Sequence, residues 1–175
     1  AFYQLFQNND VRKSAYIRTS AFGGFTYNHI AKYFGRATGR ANVIDIKILR
    51  VAEILLNRAE AYHRLGGAAN EALALADLDR LRTNRYTGFS SPGETGTALL
   101  DAIYLQRRLE LAFESDRFFD LKRRGLGISR SNFGDYADGT GAGYVVKTLA
   151  ANDPKFQLPI PQTEINVNPN IVQNP

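Results

Sequence analysis

From Thr97 to Gly125 the chain reads TALLDAIYLQRRLELAFESDRFFDLKRRG, with no proline and no glycine before its last residue. Leu100, Ile103, Arg107, Glu110, Glu114, Arg117 and Leu121 recur at steps of three and four, so they share one face of a predicted helix. Thr97 is the expected N-cap, a break is expected near Ser115, and Gly125 ends the helix. A core-facing stripe is normally apolar, yet the middle of this one is charged. Burying those groups is costly unless each meets a partner. The face is therefore either solvated or the hub of an ion-pair network.

The same periodicity predicts a first long helix over 46–65, with Ile48, Ala52, Leu55, Ala59 and Tyr62 as its stripe and Gly66-Gly67 as its stop. Arg50, Glu53 and Glu60 fall on another face. Asn70 reads as the N-cap of a second helix over 71–84, with Glu71 in the first turn and Leu75, Leu78 and Leu81 on the apolar side. The pair makes an antiparallel hairpin close to the ~34-residue tetratricopeptide period. Upstream, residues 1–45 are irregular and aromatic-rich. Phe22 to Tyr27 (FGGFTY) contains two glycines that permit a sharp bend. Extended backbone would point Phe25 and Tyr27 the same way, beside Asn28. These rings either cover the helical core or form a platform for a ligand. Residues 126–175 are loop and tail. Four prolines among the last twenty residues predict an extended, turn-rich tail held by Leu158, Ile160, Ile165 and Ile171.

The whole reads as one mainly α domain: an aromatic-rich segment (1–45), a helical core (46–125), and a loop with a packed tail (126–175). Its 175 residues suffice for a sizeable core. Absence of cysteine excludes disulfides, thiolate metal sites and a cysteine nucleophile. Only His29 and His63 are present, so no histidine metal cluster is expected. The net charge of +5 is spread along the chain rather than concentrated, so no nucleic-acid partner is expected. No apolar run approaches a membrane span. AFYQLFQNND lacks the order of a secretory leader, and a start without Met reads as a fragment or processed piece.

Glu110 and Glu114, one helical turn apart, form the best carboxylate pair for hydrolysis. Arg107 and Arg117, three residues to either side, would keep both ionised, which is the wrong direction for a general acid. GTGAGY at 139–144 is not a phosphate loop, because it lacks the G-x-G-x-x-G spacing and its strand and helix context.

Several segments together resemble the SusD/RagB-like outer-membrane glycan-binding lipoproteins. IKILRVAEILLNRAEAYHRLG carries Arg50, Ala52-Glu53 and Ala59-Glu60-Ala61. LQRRLELAFESDRFFDLKRRG carries Arg107, Arg108, Glu110, Leu111, Phe113, Glu114, Arg117, Asp120, Leu121 and Arg123. The tail carries Pro159-Ile160-Pro161, Glu164, Asn168-Pro169 and Gln173-Asn174. NNDVRK at 8–13 and AKY at 31–33 are weaker likenesses. Gln106 stands where the family usually has Glu, Ser115 for a usual Gly, and Phe118 for a frequent Trp.

The resemblance is to the C-terminal part of a longer protein. It implies a tetratricopeptide-like α/α superhelix on the outer face of an outer membrane, anchored by a lipid upstream of this chain. It implies a non-catalytic subunit with no required cofactor that binds oligosaccharide, or peptide, with a SusC-like TonB-dependent transporter as partner. The alternative is a helical-repeat module that binds a peptide or protein. Candidate ligand-binding residues are Phe25, Tyr27 and Asn28. The expected ion-pair network is Arg50, Glu53, Glu60, Arg107, Glu110, Glu114, Arg117 and Asp120. Arg107 and Arg117 are expected to contact Glu110, Glu114, Glu53 or Glu60, and Arg117→Ala to lower the melting temperature clearly.

Overall fold

The computed structural model describes residues 2–33, 48–130, 133–142, 148–168 and 170–174. Its centre is three helices: α2 (Val51–Leu65), α3 (Ala68–Thr83) and α4 (Gly96–Glu110). One apolar cluster joins them, built from Ala52, Leu56 and Ala59 of α2, Ala74, Leu78 and Leu81 of α3, and Leu99, Ala102 and Ile103 of α4. Alanines on the facing sides let α2 and α3 lie closely against each other, while α4 closes the third side. Leu99 fills the core at its place in α4, and Leu100 is only half-buried.

The helix starts differ from the periodicity. α2 begins at Val51 because Arg50 is extended, with its side chain reaching α4. Ile48 is 89% exposed and outside the expected stripe, and Ile46 lies outside the described residues. Gly66 and Gly67, at φ 71° and 82°, turn the chain directly into α3, two residues before Asn70. Asn70 instead donates back to the Gly66 carbonyl at 2.7 Å. α4 starts at Gly96 after an extended Thr95, and the Gly96 amide donates to Glu71 Oε2 at 2.9 Å. Glu71 is thus an anion at the N-terminus of α4. His63, in the last turn of α2, has Nδ1 2.6 Å from Glu71 Oε1.

The predicted break falls at 111–115, where Phe113 and Ser115 take φ of 66° and 61°. α5 (Asp116–Arg123) then runs to Gly125, at φ 63°.

The N-terminal segment holds α1 (Arg12–Tyr16) and a hairpin of β1 (Ile17–Phe22) and β2 (Phe25–Ile30). Gly23 and Gly24 both have positive φ, as a two-residue hairpin turn requires. Phe6, Ile17 and Leu109 form a second cluster, with Phe2, Tyr3 and Tyr16 packed against it. These aromatics cover the helices, whereas Phe22 is 79% exposed. The segment is clipped to the α3–α4 connection: Val11 N donates to Arg85 O and Thr87 N to Asn9 O, both at 2.9 Å.

After α5, β3 (Ile128–Ser129) pairs with β4 (Thr148–Leu149). Phe156 is buried, its ring centroid 5.2 Å from that of Phe118. The tail is not simply extended: Gln162–Val167 forms α6. Leu158 is 67% exposed, while Ile160, Ile165 and Ile171 are half-buried, so the expected apolar row holds only in part. Side-chain amides also close the tail on itself. Gln173 bonds both the amide and the carbonyl of Ile160, and Asn174 Nδ2 donates to Leu158 O. Pro169 and residues 143–144 lie outside the described residues.

Candidate functional site

The hairpin sets the geometry of the ring-bearing surface. Strand alternation puts Phe25 and Tyr27 on one face and Asn28 on the other. A third ring, Tyr136, meets the pair from the glycine-rich loop. It stacks on Phe25 with centroids 4.4 Å apart and planes 4° from parallel, and lies edge-on to Tyr27 at 5.4 Å. The backbone secures this approach, since Ala137 N donates to Thr26 O at 2.8 Å. Gly134 allows the loop to close on itself, because a Cβ there would lie 2.2 Å from Thr140 O. Beside the hairpin is a cavity of about 330 Å³ whose polar lining includes Asn28, His29 and Asp135. Asn28 Oδ1 accepts from Thr19 Oγ1 at 2.6 Å. The pattern alone singled out Phe25, Tyr27 and Asn28 but not Tyr136, which sits in a segment without periodicity.

The charges of the central stripe are partnered, but not along the helix. Glu110 is fully buried and receives three guanidinium groups: Arg12 Nη1 at 3.1 Å, Arg50 Nη1 at 2.8 Å, and Arg85 through Nε at 2.8 Å and Nη2 at 2.9 Å. Asp10 and Gln106 hold Arg12 in turn, and Gln106 also donates to the Tyr86 hydroxyl. Lys32 reaches Glu114 Oε1 at 2.6 Å and donates to the carbonyls of Glu110, which Arg50 Nη2 also serves, and Ala112, where α4 ends.

Burial pushes the Glu110 carboxyl up, but the bonds from Arg85 and Arg50 and the charges of Arg85 and Arg12 outweigh it, bringing it down to about 2. A sealed carboxylate of this kind is not a general acid.

Arg107 and Arg117 do not contact Glu110. Arg107 binds Asp116 and Asn57 and lies 3.7 Å from Glu53. Arg117 meets only Asp120 among the ion pairs of the described residues, at 3.3 Å, with its side chain 43% exposed. The break at 111–115 puts it on a separate helix from Glu110, so a clear stability loss on Arg117→Ala is no longer expected. Glu60 belongs to another cluster, where Arg123 binds it at 2.8 Å and also holds Asp120 at 2.7 Å. Burial raises the Glu60 carboxyl, while Arg123 and Arg64 bring it down to about 2.

Among the described residues, no group of three or more His, Asp or Glu is placed to hold a metal ion, and no helix is long and apolar enough to cross a membrane.

This arrangement of helices, hairpin and tail has close counterparts. The family model described as the SusD family matches residues 2–175. The chain belongs to the SusD family. Its fold is the helical, tetratricopeptide-like one of that superfamily. SusD-like protein P2 of Formosa agariphila is 30% identical over 156 residues, covering 83% of this chain and 29% of that protein. SusD-like protein P25 of the same organism is 27% identical over 177 residues, covering 97% and 32%. A SusD superfamily structure from Bacteroides thetaiotaomicron matches with a TM-score of 0.75 at 30% identity, over 97% of this chain and 38% of that one. Another, from Bacteroides vulgatus, matches with a TM-score of 0.71 at 27% identity, over 95% and 36%. This SusD-family chain therefore spans about a third of the length of the curated relatives.

Proposed function

We propose that this SusD-family chain is part of a non-catalytic oligosaccharide-binding subunit of an outer-membrane importer, with a SusC-like TonB-dependent transporter as its partner and a lipid anchor upstream. Family membership supports the class of function. The observation that carries a role for this chain is the aromatic hairpin. Phe25, still 49% exposed, stacks on Tyr136, and Tyr136 lines the neighbouring cavity whose wall also carries Asn28, His29 and Asp135. Flat rings next to hydrogen-bonding side chains suit the apolar face and hydroxyl rim of a pyranose.

Calorimetric titration of the full-length protein with a panel of neutral oligosaccharides tests this reading. Phe25→Ala and Tyr27→Ala are each expected to weaken binding about tenfold. Phe25→Ala should leave the melting temperature nearly unchanged, since its ring is half in solvent. Equal affinity in wild type and both variants would remove the hairpin from the site.

A second reading, a peptide-binding helical module, has one observation in its favour. Val51, Ile54 and Leu65, at spacings of three and eleven along α2, are 73%, 47% and 72% exposed. Loss of a peptide ligand on Val51→Ser, with glycan binding absent, would favour it.

A further inference from the structure

The turn between α4 and α5 opens a concavity of about 490 Å³ lined from both helices. Arg108 enters it from the last turn of α4 and Arg117 from the first turn of α5. Arg107 and Asp116 also line it, but they bind each other. Among the described residues Arg117 has a single carboxylate contact, to Asp120, which Arg123 already holds more closely. No carboxylate pairs with Arg108 among the described residues; its guanidinium carbon lies 5.9 Å from the Phe2 ring centroid. The remaining wall is apolar and includes Phe119, which is 57% exposed.

Elsewhere in this molecule arginines converge around a carboxylate, as three do at Glu110. Here two line one concavity, and the one carboxylate on its wall among the described residues, Asp116, is already held by Arg107. Both side chains are solvent-exposed, yet partial burial holds the Arg108 guanidinium below its usual value, and Arg117 is lowered by partial burial first and then by the charge of Arg108. An anion seated between them would relieve both the desolvation and the repulsion.

The geometry points to the α4–α5 concavity as a binding site for an oxyanion, a carboxylate or sulfate group carried by a ligand whose apolar face lies against Phe119. A sugar acid has that chemistry: a charged group for the paired guanidiniums and a C–H face for the ring. The site is separate from the Phe25 hairpin and does not depend on that surface binding sugar. The occupant is a free acidic ligand; an acidic side chain from elsewhere in the same polypeptide is the competing occupant that the test separates from it.

The test is calorimetric titration of the full-length protein with glucuronate, inorganic sulfate and, as the neutral control, glucose. Glucuronate is expected to bind, sulfate to compete with it, and glucose not to bind at this site. Raising the salt concentration should weaken glucuronate binding. Arg108→Gln and Arg117→Gln should each weaken it by roughly tenfold or more, with melting temperatures close to wild type. No heat with either anion, or affinity retained in both variants, would overturn the assignment. A large loss of thermal stability in both variants without glucuronate binding in the wild type would show the pair filled by the protein's own carboxylate, which also overturns it.

Discussion

Replacing Glu110 by glutamine keeps the shape of the side chain and removes its charge. The consequence follows from its three partners. Arg12 is buried but keeps Asp10, and Arg50 keeps Glu114. Arg85 loses its carboxylate. Breaking a buried pair from one side costs about 3–5 kcal/mol, and the surviving partners argue for the lower end. The carboxyl's own titration agrees. Its descent from 4.5 to about 2 corresponds to about 3.5 kcal/mol of preference for the charged form, at ~1.4 kcal/mol per pH unit. A domain of this size loses about 2–4 °C of melting temperature per kcal/mol, so Glu110→Gln should melt roughly 6–12 °C lower. Differential scanning calorimetry at pH 7 reads this directly, with Arg117→Ala as the companion variant. Its half-exposed pair should contribute less than about 1 kcal/mol. A Glu110→Gln transition within about 2 °C of wild type would refute the reasoning, as would a larger loss in Arg117→Ala.

Acid should act through the same groups. The folded pKa values of Glu110 and Glu60 are depressed, so their contribution is fully present above about 4.5 and is lost as pH falls toward about 2. Chemical denaturation across that window should show a steep fall that Glu110→Gln makes shallower. Phe156→Ala removes a buried ring from its contact with Phe118 and should cost about 3–5 kcal/mol; a loss below about 1 kcal/mol would show that the tail's anchor lies elsewhere. Ser115 holds a left-handed φ of 61°, and Ser115→Gly should raise stability by up to ~1 kcal/mol, measured by urea denaturation. A destabilised variant would place the constraint in the serine side chain instead.

The helices were legible in the sequence because a 3.6-residue repeat records which side of a segment meets the core. Ala52, Ala59, Leu78 and Ile103 all lie where that repeat put them. Starts were less legible: Val51 and Gly96 begin helices for reasons made elsewhere, in the reach of Arg50 to Glu110 and of Glu71 to the Gly96 amide. The charged stripe announced that partners were needed without naming them. Spacing displays neighbours three or four residues away, whereas Arg12 and Arg85 reach Glu110 only after the chain has folded. Tyr136 was invisible for the same reason, as its position against Phe25 depends on a loop without periodicity. In the tail, prolines and apolar residues suggested surface packing, but Gln173 and Asn174 carry the closure through backbone bonds.

The three arginines around Glu110 lie 98, 60 and 25 residues from it in sequence. Each contact requires closing a loop whose entropy cost precedes its reward, and rates fall as such distant contacts accumulate. Contacts between α2 and α3 are local, so this hairpin is expected to form early and the arm bearing Arg12 to dock last. Until then Glu110 is open to water, with an ordinary appetite for protons. The slowest refolding step should therefore be the one that turns this carboxylate into a strong acid, and stopped-flow refolding with a pH indicator should see protons released in that step at pH 4. In the finished molecule, one side chain in the middle of α4 records that the beginning of the chain has come home.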